Sequence, residues 1–262
     1  MDDPLPPLLA QALAVSVARV VAFTGGGGKT SAMYRLARER AAGRVLVATT
    51  TRIWAPRPDE APLALAGSLA DALCSVRDRG WTHGVRVLGS EVTAEGKLLG
   101  LPPDWIGALA AEVDLVVVEA DGAAGKPLTA PRAYEPVIPG ATDLLVPVVG
   151  ADVIGAPLAP ERVHRAPEMA ELLGVPIGTV LTADLVARVV LDPRGNVKGA
   201  PPDARIVPLV NKVDDAARER AANELAEALL VRGVERVVLA RLASDEPVVA
   251  VVERAPQRAG RG

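Results

Sequence analysis

The chain has 262 residues, half of them hydrophobic, and a net charge of −3. This length allows a sizeable core, and we expect one α/β domain over residues 1–254 followed by a disordered tail over 255–262. The sequence has no basic block, which argues against a nucleic-acid partner, and no apolar run of the ~20 residues that a membrane span needs. One cysteine and an acidic N-terminus without a signal-peptide pattern indicate the cytoplasm.

Apolar runs alternate with amphipathic segments along the chain. The patterns predict helices at 5–15, 30–42 (with Gly43 as C-cap), 68–79, 103–112 and 215–232. They predict strands at 19–24, 44–49, 114–119, 144–149, 205–210, 234–239 and 248–252. Residues 85–88 and 97–99 are typical of a hairpin inserted into this scheme. The alternation therefore predicts a P-loop NTPase-like α/β fold, with a mostly parallel sheet and helices on both of its faces.

A glycine-rich segment separates the first predicted strand from the helix that follows it. It comprises Gly25, Gly26, Gly27 and Gly28, followed by Lys29, Thr30 and Ser31. Glycines let backbone N–H groups turn around a polyphosphate, and the helix start adds free N–H groups and a positive dipole end. In such a loop Lys29 reaches the β- and γ-phosphates, and the Thr30 hydroxyl binds Mg²⁺.

The segment departs from the standard phosphate-loop pattern, because that pattern requires glycine where Phe23 stands. A glycine-rich turn that only links strand to helix remains the alternative interpretation.

Acidic residues follow the three-valine strand at 114–119, where ligands of open α/β sheets bind. Glu119 and Asp121 are candidate catalytic residues and Mg²⁺ ligands, and Gly122 can offer its N–H to a γ-phosphate. The alternative is an acidic turn after a buried strand. Thr50 or Thr51, after the second strand, can complete the Mg²⁺ shell, and Arg52 can meet phosphate charge. The alternative there is a solvent-exposed loop.

A guanine-binding pattern, Asn-Lys-x-Asp, follows the predicted strand at 205–210. In this pattern the Asp214 carboxylate accepts two hydrogen bonds from guanine, the Lys212 stem lies along the base and Asn211 steadies the loop. Adenine cannot supply that pair of donors, so the motif favours GTP over ATP. The alternative is an ordinary capped helix start.

Several motifs together resemble the YqeC family. They are Gly-Gly-Gly-Lys-Thr, Thr-Thr-Thr, Glu-Ala-Asp-Gly, Lys-Pro-Leu, Glu-Pro-Val-Ile-Pro, His-Arg and Asn-Lys-Val-Asp, spread over residues 20–214. The family commonly has histidine where this chain has Arg52. The resemblance implies a P-loop NTPase that acts as an accessory protein in the maturation of a selenium-dependent molybdenum hydroxylase.

Three functions are compatible with these residues. The first is a Mg²⁺-dependent GTPase, whose turnover we expect to be slow because no residue is an obvious base for the attacking water. The second is an ATP-dependent small-molecule kinase, in which Arg132, Arg162 and Arg165 would close over the phosphates. The third is a scaffold that binds nucleotide without hydrolysing it.

Overall fold

The computed structural model describes residues 8–255, which form an α/β fold with fourteen strands and seven α-helices. The strands are β1 (Val20–Gly25), β2 (Arg44–Thr49), β3 (Arg52–Trp54), β4 (Leu63–Leu65), β5 (Gly84–Gly89), β6 (Lys97–Leu99), β7 (Leu115–Glu119), β8 (Leu128–Thr129), β9 (Leu144–Gly150), β10 (Val163–His164), β11 (Arg205–Ile206), β12 (Leu209–Asn211), β13 (Arg236–Ala240) and β14 (Val248–Glu253). The helices are α1 (Leu9–Ala12), α2 (Lys29–Glu39), α3 (Leu69–Val76), α4 (Trp105–Ala110), α5 (Ala166–Leu173), α6 (Ala183–Leu191) and α7 (Ala216–Val231).

Ten of the strands form one sheet, in the order β14-β13-β12-β9-β1-β7-β2-β5-β4, with β11 also paired to β9. All pairings in this sheet are parallel except β13 with β14. Two small sheets, β3 with β6 and β8 with β10, lie outside it. The predicted mostly parallel α/β architecture is therefore confirmed.

Side chains on the central strands alternate between two apolar layers, as the pleat requires. Val21 and Phe23 of β1 pack in a cluster with residues of α1 and α2. Val20 and Ala22 point to the other face, where α3 and α4 pack. Helices α5, α6 and α7 cover that second face over β12 and β13. Helices thus cover both faces of the sheet, as predicted.

The hairpin predicted from 85–88 and 97–99 is wrong in its pairing. Strand β5, which contains the first segment, lies in the main sheet between β2 and β4. Strand β6 pairs instead with β3, and an isolated bridge joins Val92 to Leu98. Val87 and Leu88 are fully buried, so the central sheet takes this segment because its apolar side chains can be covered on both faces there.

Other boundaries differ from the predictions in detail. The strand predicted at 205–210 is split into β11 and β12, because Val207 and Pro208 interrupt it and Pro208 has no N–H to donate. Helix α2 ends at Glu39, so Gly43 is not its cap. Helices α5 and α6 were not predicted. Nearly all of the predicted tail, from residue 256 onward, lies outside the described residues. Across residues 8–255, no helix has the length and apolar character needed to cross a bilayer.

The parallel topology brings several loops to one edge of the sheet. The carboxyl ends of β1, β2, β7, β9 and β12 all point to this edge. The residues after these strands include the glycine-rich segment, the acidic residues and the Asn-Lys-x-Asp motif. The fold therefore places the predicted site residues at the edge where ligands of open α/β sheets bind.

Candidate functional site

A cleft of about 510 Å³ opens at this edge. Its lining residues come from the glycine-rich segment, from strands β3 and β6, from the loop after β7 and from the ends of β12 and β13. They are Gly27, Gly28, Lys29, Thr30, Ser31, Arg52, Ile53, Trp54, Lys97, Glu119, Gly122, Ala123, Ala124, Gly125, Lys126, Asn211, Lys212, Leu242 and Ala243. Most of the predicted site residues therefore meet in one cavity.

The glycine-rich segment turns sharply between β1 and α2. Gly27 and Gly28 have φ angles of +81° and +130°, which side chains with a Cβ rarely adopt. A Cβ on Gly27 would also overlap the backbone nitrogen of Gly150. The chain therefore needs glycine here for its backbone conformation and for its close approach to β9.

The amide groups of the segment divide into two sets. The N–H groups of Gly25, Gly26 and Gly27 donate to Asp121 Oδ2, to the Val148 carbonyl and to the Lys126 carbonyl, at 2.8, 2.8 and 2.9 Å. Within the described part of the chain, the N–H groups of residues 28–31 have no such acceptor. Free N–H groups at the start of a helix favour an anion. In this conformation the N–H groups of residues 28–31 are therefore free to accept an anion as a ligand.

Lys29 is almost fully buried, with an exposed fraction of 4%. Its Nζ donates to the Gly25 carbonyl and lies 3.1 Å from Asp121 Oδ1 and 3.7 Å from Glu119 Oε1. The ammonium is thus held between the loop backbone and two carboxylates at the floor of the cleft.

Glu119 and Asp121 contact different partners. Glu119 lines the cleft, and its Oε2 accepts a 2.8 Å hydrogen bond from Thr30 Oγ1. Asp121 is fully buried and accepts the N–H of Gly25. Glu119 is therefore placed to contact a ligand or metal in the cleft, whereas Asp121 holds the loop and the lysine in position.

Burial changes the proton affinity of these groups. Desolvation raises the pKa of Glu119, although Lys29 and the Thr30 hydroxyl oppose the shift. Desolvation likewise raises the pKa of Asp121, against the effect of Lys29 and the Gly25 N–H. Desolvation lowers the pKa of Lys29, but the two carboxylates outweigh it and hold that pKa above its usual value.

The residues of the Asn-Lys-x-Asp motif occupy different surroundings. Buried Asn211 donates from Nδ2 to the Gly27 carbonyl at 2.7 Å and accepts the N–H of Leu242 at 3.0 Å. Lys212 lines the cleft and pairs with Asp152 at 3.0 Å. Asp214 is exposed, does not line the cleft and pairs with Arg218 at 2.7 Å. Asn211 therefore connects the glycine-rich segment to the loop after β13.

The threonines at the end of β2 and directly after it contact one another and a neighbouring loop. Thr51 does not line the cleft, and its Oγ1 lies 3.3 Å from Thr49 Oγ1. Thr50 Oγ1 donates to the Val137 carbonyl at 2.6 Å. Arg52, next along the chain, does line the cleft. Thr51 is thus farther from the cleft surface than Thr30, the other threonine predicted to bind a metal.

The three arginines considered for a kinase lid are engaged separately. Arg165 is mostly buried and pairs with Glu135 at 2.6 Å. Arg162 lies 3.6 Å from Asp152, and the Arg132 guanidinium donates to the Tyr134 hydroxyl. None of the three lines the cleft, so in this conformation they form no cationic lid over it.

Two contributions to the site were not predicted in the form that the structure shows. The Lys-Pro-Leu segment supports the glycine-rich loop, since the carbonyls of Lys126 and Pro127 accept the N–H groups of Gly27 and Gly150. Trp54 and Lys97 line the cleft from the small β3–β6 sheet. The hairpin prediction concealed this second contribution, because it paired residue 97 with the wrong strand.

Comparisons with known proteins agree with the resemblance seen in the motifs. Residues 21–167 match the family described as YqeC protein. The chain is 31% identical over 242 residues to an Escherichia coli (strain K12) protein described as uncharacterized protein YqeC, an alignment that covers 88% of this chain and 90% of that one. The matched region contains the glycine-rich segment and both acidic residues of the cleft. The chain belongs to the YqeC family.

Proposed function

We propose that this chain binds a nucleoside triphosphate together with Mg²⁺ and hydrolyses it slowly. The observation that carries the proposal is the grouping of Lys29, Thr30 and Glu119 beside the free N–H groups at the start of α2. An ammonium, a hydroxyl and a carboxylate beside a helix N-terminus are the groups that a phosphate chain and its metal require.

Each group has a distinct role in this proposal. The free amides of residues 28–31 and the ammonium of Lys29 hold the phosphate chain and stabilise charge on the transferring phosphoryl group. Thr30 Oγ1 and Glu119 bind Mg²⁺ directly or through water, in place of the hydrogen bond that they now share. When bound, Mg²⁺ neutralises charge on the phosphate oxygens.

Slow turnover follows from the composition of the cleft. Among its lining residues, all within the described part of the chain, Glu119 is the one acidic side chain and there is no histidine. The proposal assigns Glu119 to the metal, so no side chain is left to orient and deprotonate the attacking water. We therefore expect hydrolysis to depend on a partner that supplies the missing group.

We propose GTP as the preferred nucleotide. Asn211 already has the loop-steadying role that the guanine motif gives it, and Lys212 lines the cleft beside Ala243. Asp214 would have to leave Arg218 in order to meet the base. The proposed preference for guanine therefore requires that the exposed ion pair between Asp214 and Arg218 opens when the base binds.

Calorimetric titration with GTP and ATP, each with Mg²⁺, tests the proposal. Wild type should bind GTP more tightly, and Lys29→Ala should abolish binding. Because Lys29→Ala leaves two buried carboxylates without a cationic partner and can destabilise the fold, Thr30→Ala is the second variant. Thr30 is exposed, so its variant should fold and lose the Mg²⁺ dependence of binding. Thr82→Ala, at another exposed threonine, is the matched control. Wild type that binds neither nucleotide would overturn the proposal.

The cellular role that we propose is maturation of a selenium-dependent molybdenum hydroxylase. Its support is the family resemblance, and the nucleotide site provides the means of control. Cells lacking the protein should have reduced hydroxylase activity, which wild type restores and Thr30→Ala does not. Full activity in those cells would contradict the role without affecting the nucleotide site.

A further inference from the structure

The β3–β6 sheet forms one wall of the cleft and is separate from the main sheet. It brings Arg52, Trp54 and Lys97 to the cleft surface. Trp54 is 66% exposed, and Lys97 Nζ lies 3.2 Å from the centroid of its ring. An exposed aromatic ring that contacts a cation on the wall of a cleft offers a flat surface against which a ligand can pack.

The two cations of this wall have no acidic partner. Across residues 8–255, no carboxylate oxygen lies within 4.0 Å of the Arg52 guanidinium or the Lys97 ammonium. Desolvation and the nearby Arg52 lower the pKa of Lys97, while Glu119 and Glu95 act more weakly in the opposite direction. A bound anion would relieve the repulsion between the two cations.

The position of this wall in the fold indicates what it contacts. Strand β3 follows β2, on one side of β1. Asn211 ends β12, on the other side, and Lys212 follows it. The anion-binding start of α2 lies between them. A nucleotide with its base toward Lys212 and its phosphates on residues 28–31 directs its terminal phosphate toward Arg52 and Lys97.

We propose that Arg52 and Lys97 form a subsite for a phosphate-type oxyanion, with Trp54 as its flat wall, at the end of the cleft beyond the phosphate loop. The oxyanion is either the γ-phosphate of the bound nucleotide or an anionic group of a second molecule beside it. The identity of the nucleotide rests on the proposed function, whereas the anion chemistry rests on the two cations themselves.

The test uses the double variant Arg52→Gln/Lys97→Gln, with Arg79→Gln as control. Arg79 is an exposed arginine that does not line the cleft. Circular dichroism and thermal unfolding establish that both variants fold as wild type does. Binding of GDP and GTP, each with Mg²⁺, is then measured for all three proteins.

A subsite for the γ-phosphate weakens GTP binding by about 10-fold or more in the double variant while leaving GDP binding nearly unchanged, because charge-assisted hydrogen bonds to that phosphate are lost. A subsite for a second molecule leaves both affinities unchanged. In that case pyrophosphate, titrated onto protein saturated with a non-hydrolysable GTP analogue, binds wild type and not the double variant. Pyrophosphate binding should also change the tryptophan fluorescence of the protein, and Trp54→Phe should abolish that change.

A folded double variant that matches wild type in both experiments overturns the subsite. If wild type binds no nucleotide at all, the proposed function fails by itself. In that case, titrating pyrophosphate onto nucleotide-free wild type and double variant tests by itself whether Arg52 and Lys97 bind an oxyanion. Weaker binding to the double variant supports it, and equal binding, or none to wild type, overturns it.

Discussion

Thr30 Oγ1 donates a 2.8 Å hydrogen bond to Glu119 Oε2, and this bond joins the first turn of α2 to the end of β7. The contact is possible because β7 is the parallel neighbour of β1, the strand that leads into the glycine-rich segment. Its two oxygen atoms are ligands of the kind that Mg²⁺ prefers. The neighbouring carboxylate, Asp121, instead points into the loop and bonds to Gly25.

This difference predicts unequal effects of two conservative substitutions. Glu119→Gln should remove the Mg²⁺ dependence of nucleotide binding, because an amide is a poor replacement for a charged metal ligand. Asp121→Asn should keep that dependence and mainly lower stability, because an amide has one oxygen and cannot face both the Gly25 N–H and the Lys29 ammonium in this buried site. Nucleotide titrations with and without Mg²⁺, together with urea unfolding, separate the two effects. The reverse pattern would make Asp121 the metal ligand.

The raised pKa of Asp121 predicts a pH dependence of stability. The folded state binds this proton more tightly than the unfolded state, whose pKa is close to the ordinary 3.8. The contribution of the group to the free energy of unfolding is therefore fully present below 3.8 and is lost as pH rises through the raised folded value.

Urea unfolding at a series of pH values above 3.8 measures this effect. The stability advantage of wild type over Asp121→Asn should be largest at the acidic end and should shrink as pH rises. Asp203→Asn, at an exposed carboxylate outside the site, is the control. An advantage that grows with pH would show that Lys29 lowers the pKa of Asp121 by more than burial raises it.

The order of elements around the site could be predicted because local signals agree there. The valine-rich strands, the glycines before Lys29 and the acidic residues after β7 each mark a strand end. Parallel pairing then brings those ends to one edge, where the cleft opens.

The pairing of β3 with β6 could not be predicted, because it joins residues more than forty positions apart through a three-residue strand on each side. Strands of three residues have too short an alternation of apolar and polar side chains to determine which strand they pair with. The sequence also does not decide between two uses of Asp214. Its carboxylate can pair with Arg218 or bind guanine, and both uses are compatible with the same residues. A long-range contact decided the strand pairing, whereas the ion pair is a local contact between residues four positions apart.

Asn211 should contribute to stability as well as to binding. Asn211→Ala leaves the Gly27 carbonyl and the Leu242 N–H without their partners in a buried region. We expect a loss of about 2 kcal/mol in the free energy of unfolding, together with weaker nucleotide binding. Asn223→Ala is the control, because Asn223 is exposed on α7, and among residues 8–255 its side chain bonds only to the Glu219 carbonyl. Equal losses in the two variants, measured by urea unfolding, would contradict this role.

Alanine substitutions at two glycines of the site should affect different properties, the stability of the fold in one case and nucleotide binding in the other. Gly27→Ala should cost about 3 kcal/mol or more of stability, because φ is +81° and the added Cβ overlaps Gly150. At Gly122 nothing lies within 4 Å of an added Cβ, so Gly122→Ala should fold with nearly unchanged stability. Since Gly122 lines the cleft, the Cβ added by alanine should instead weaken the binding of GTP more than the binding of GDP. Unchanged nucleotide affinities would remove Gly122 from the γ-phosphate site.

The ion pair between Asp214 and Arg218 predicts a gain of function. Both side chains are substantially exposed, so the pair itself contributes about 1 kcal/mol or less to stability. Arg218→Ala should therefore fold normally and free the Asp214 carboxylate for guanine, which raises the affinity for GTP several-fold over that for ATP. Asp214→Asn should remove the preference, and the double variant should behave like Asp214→Asn alone. Calorimetry with both nucleotides measures all four proteins. If Arg218→Ala changes GTP and ATP binding equally, the carboxylate does not read the base, and residues 211–214 serve only to hold the glycine-rich loop and to lead into α7.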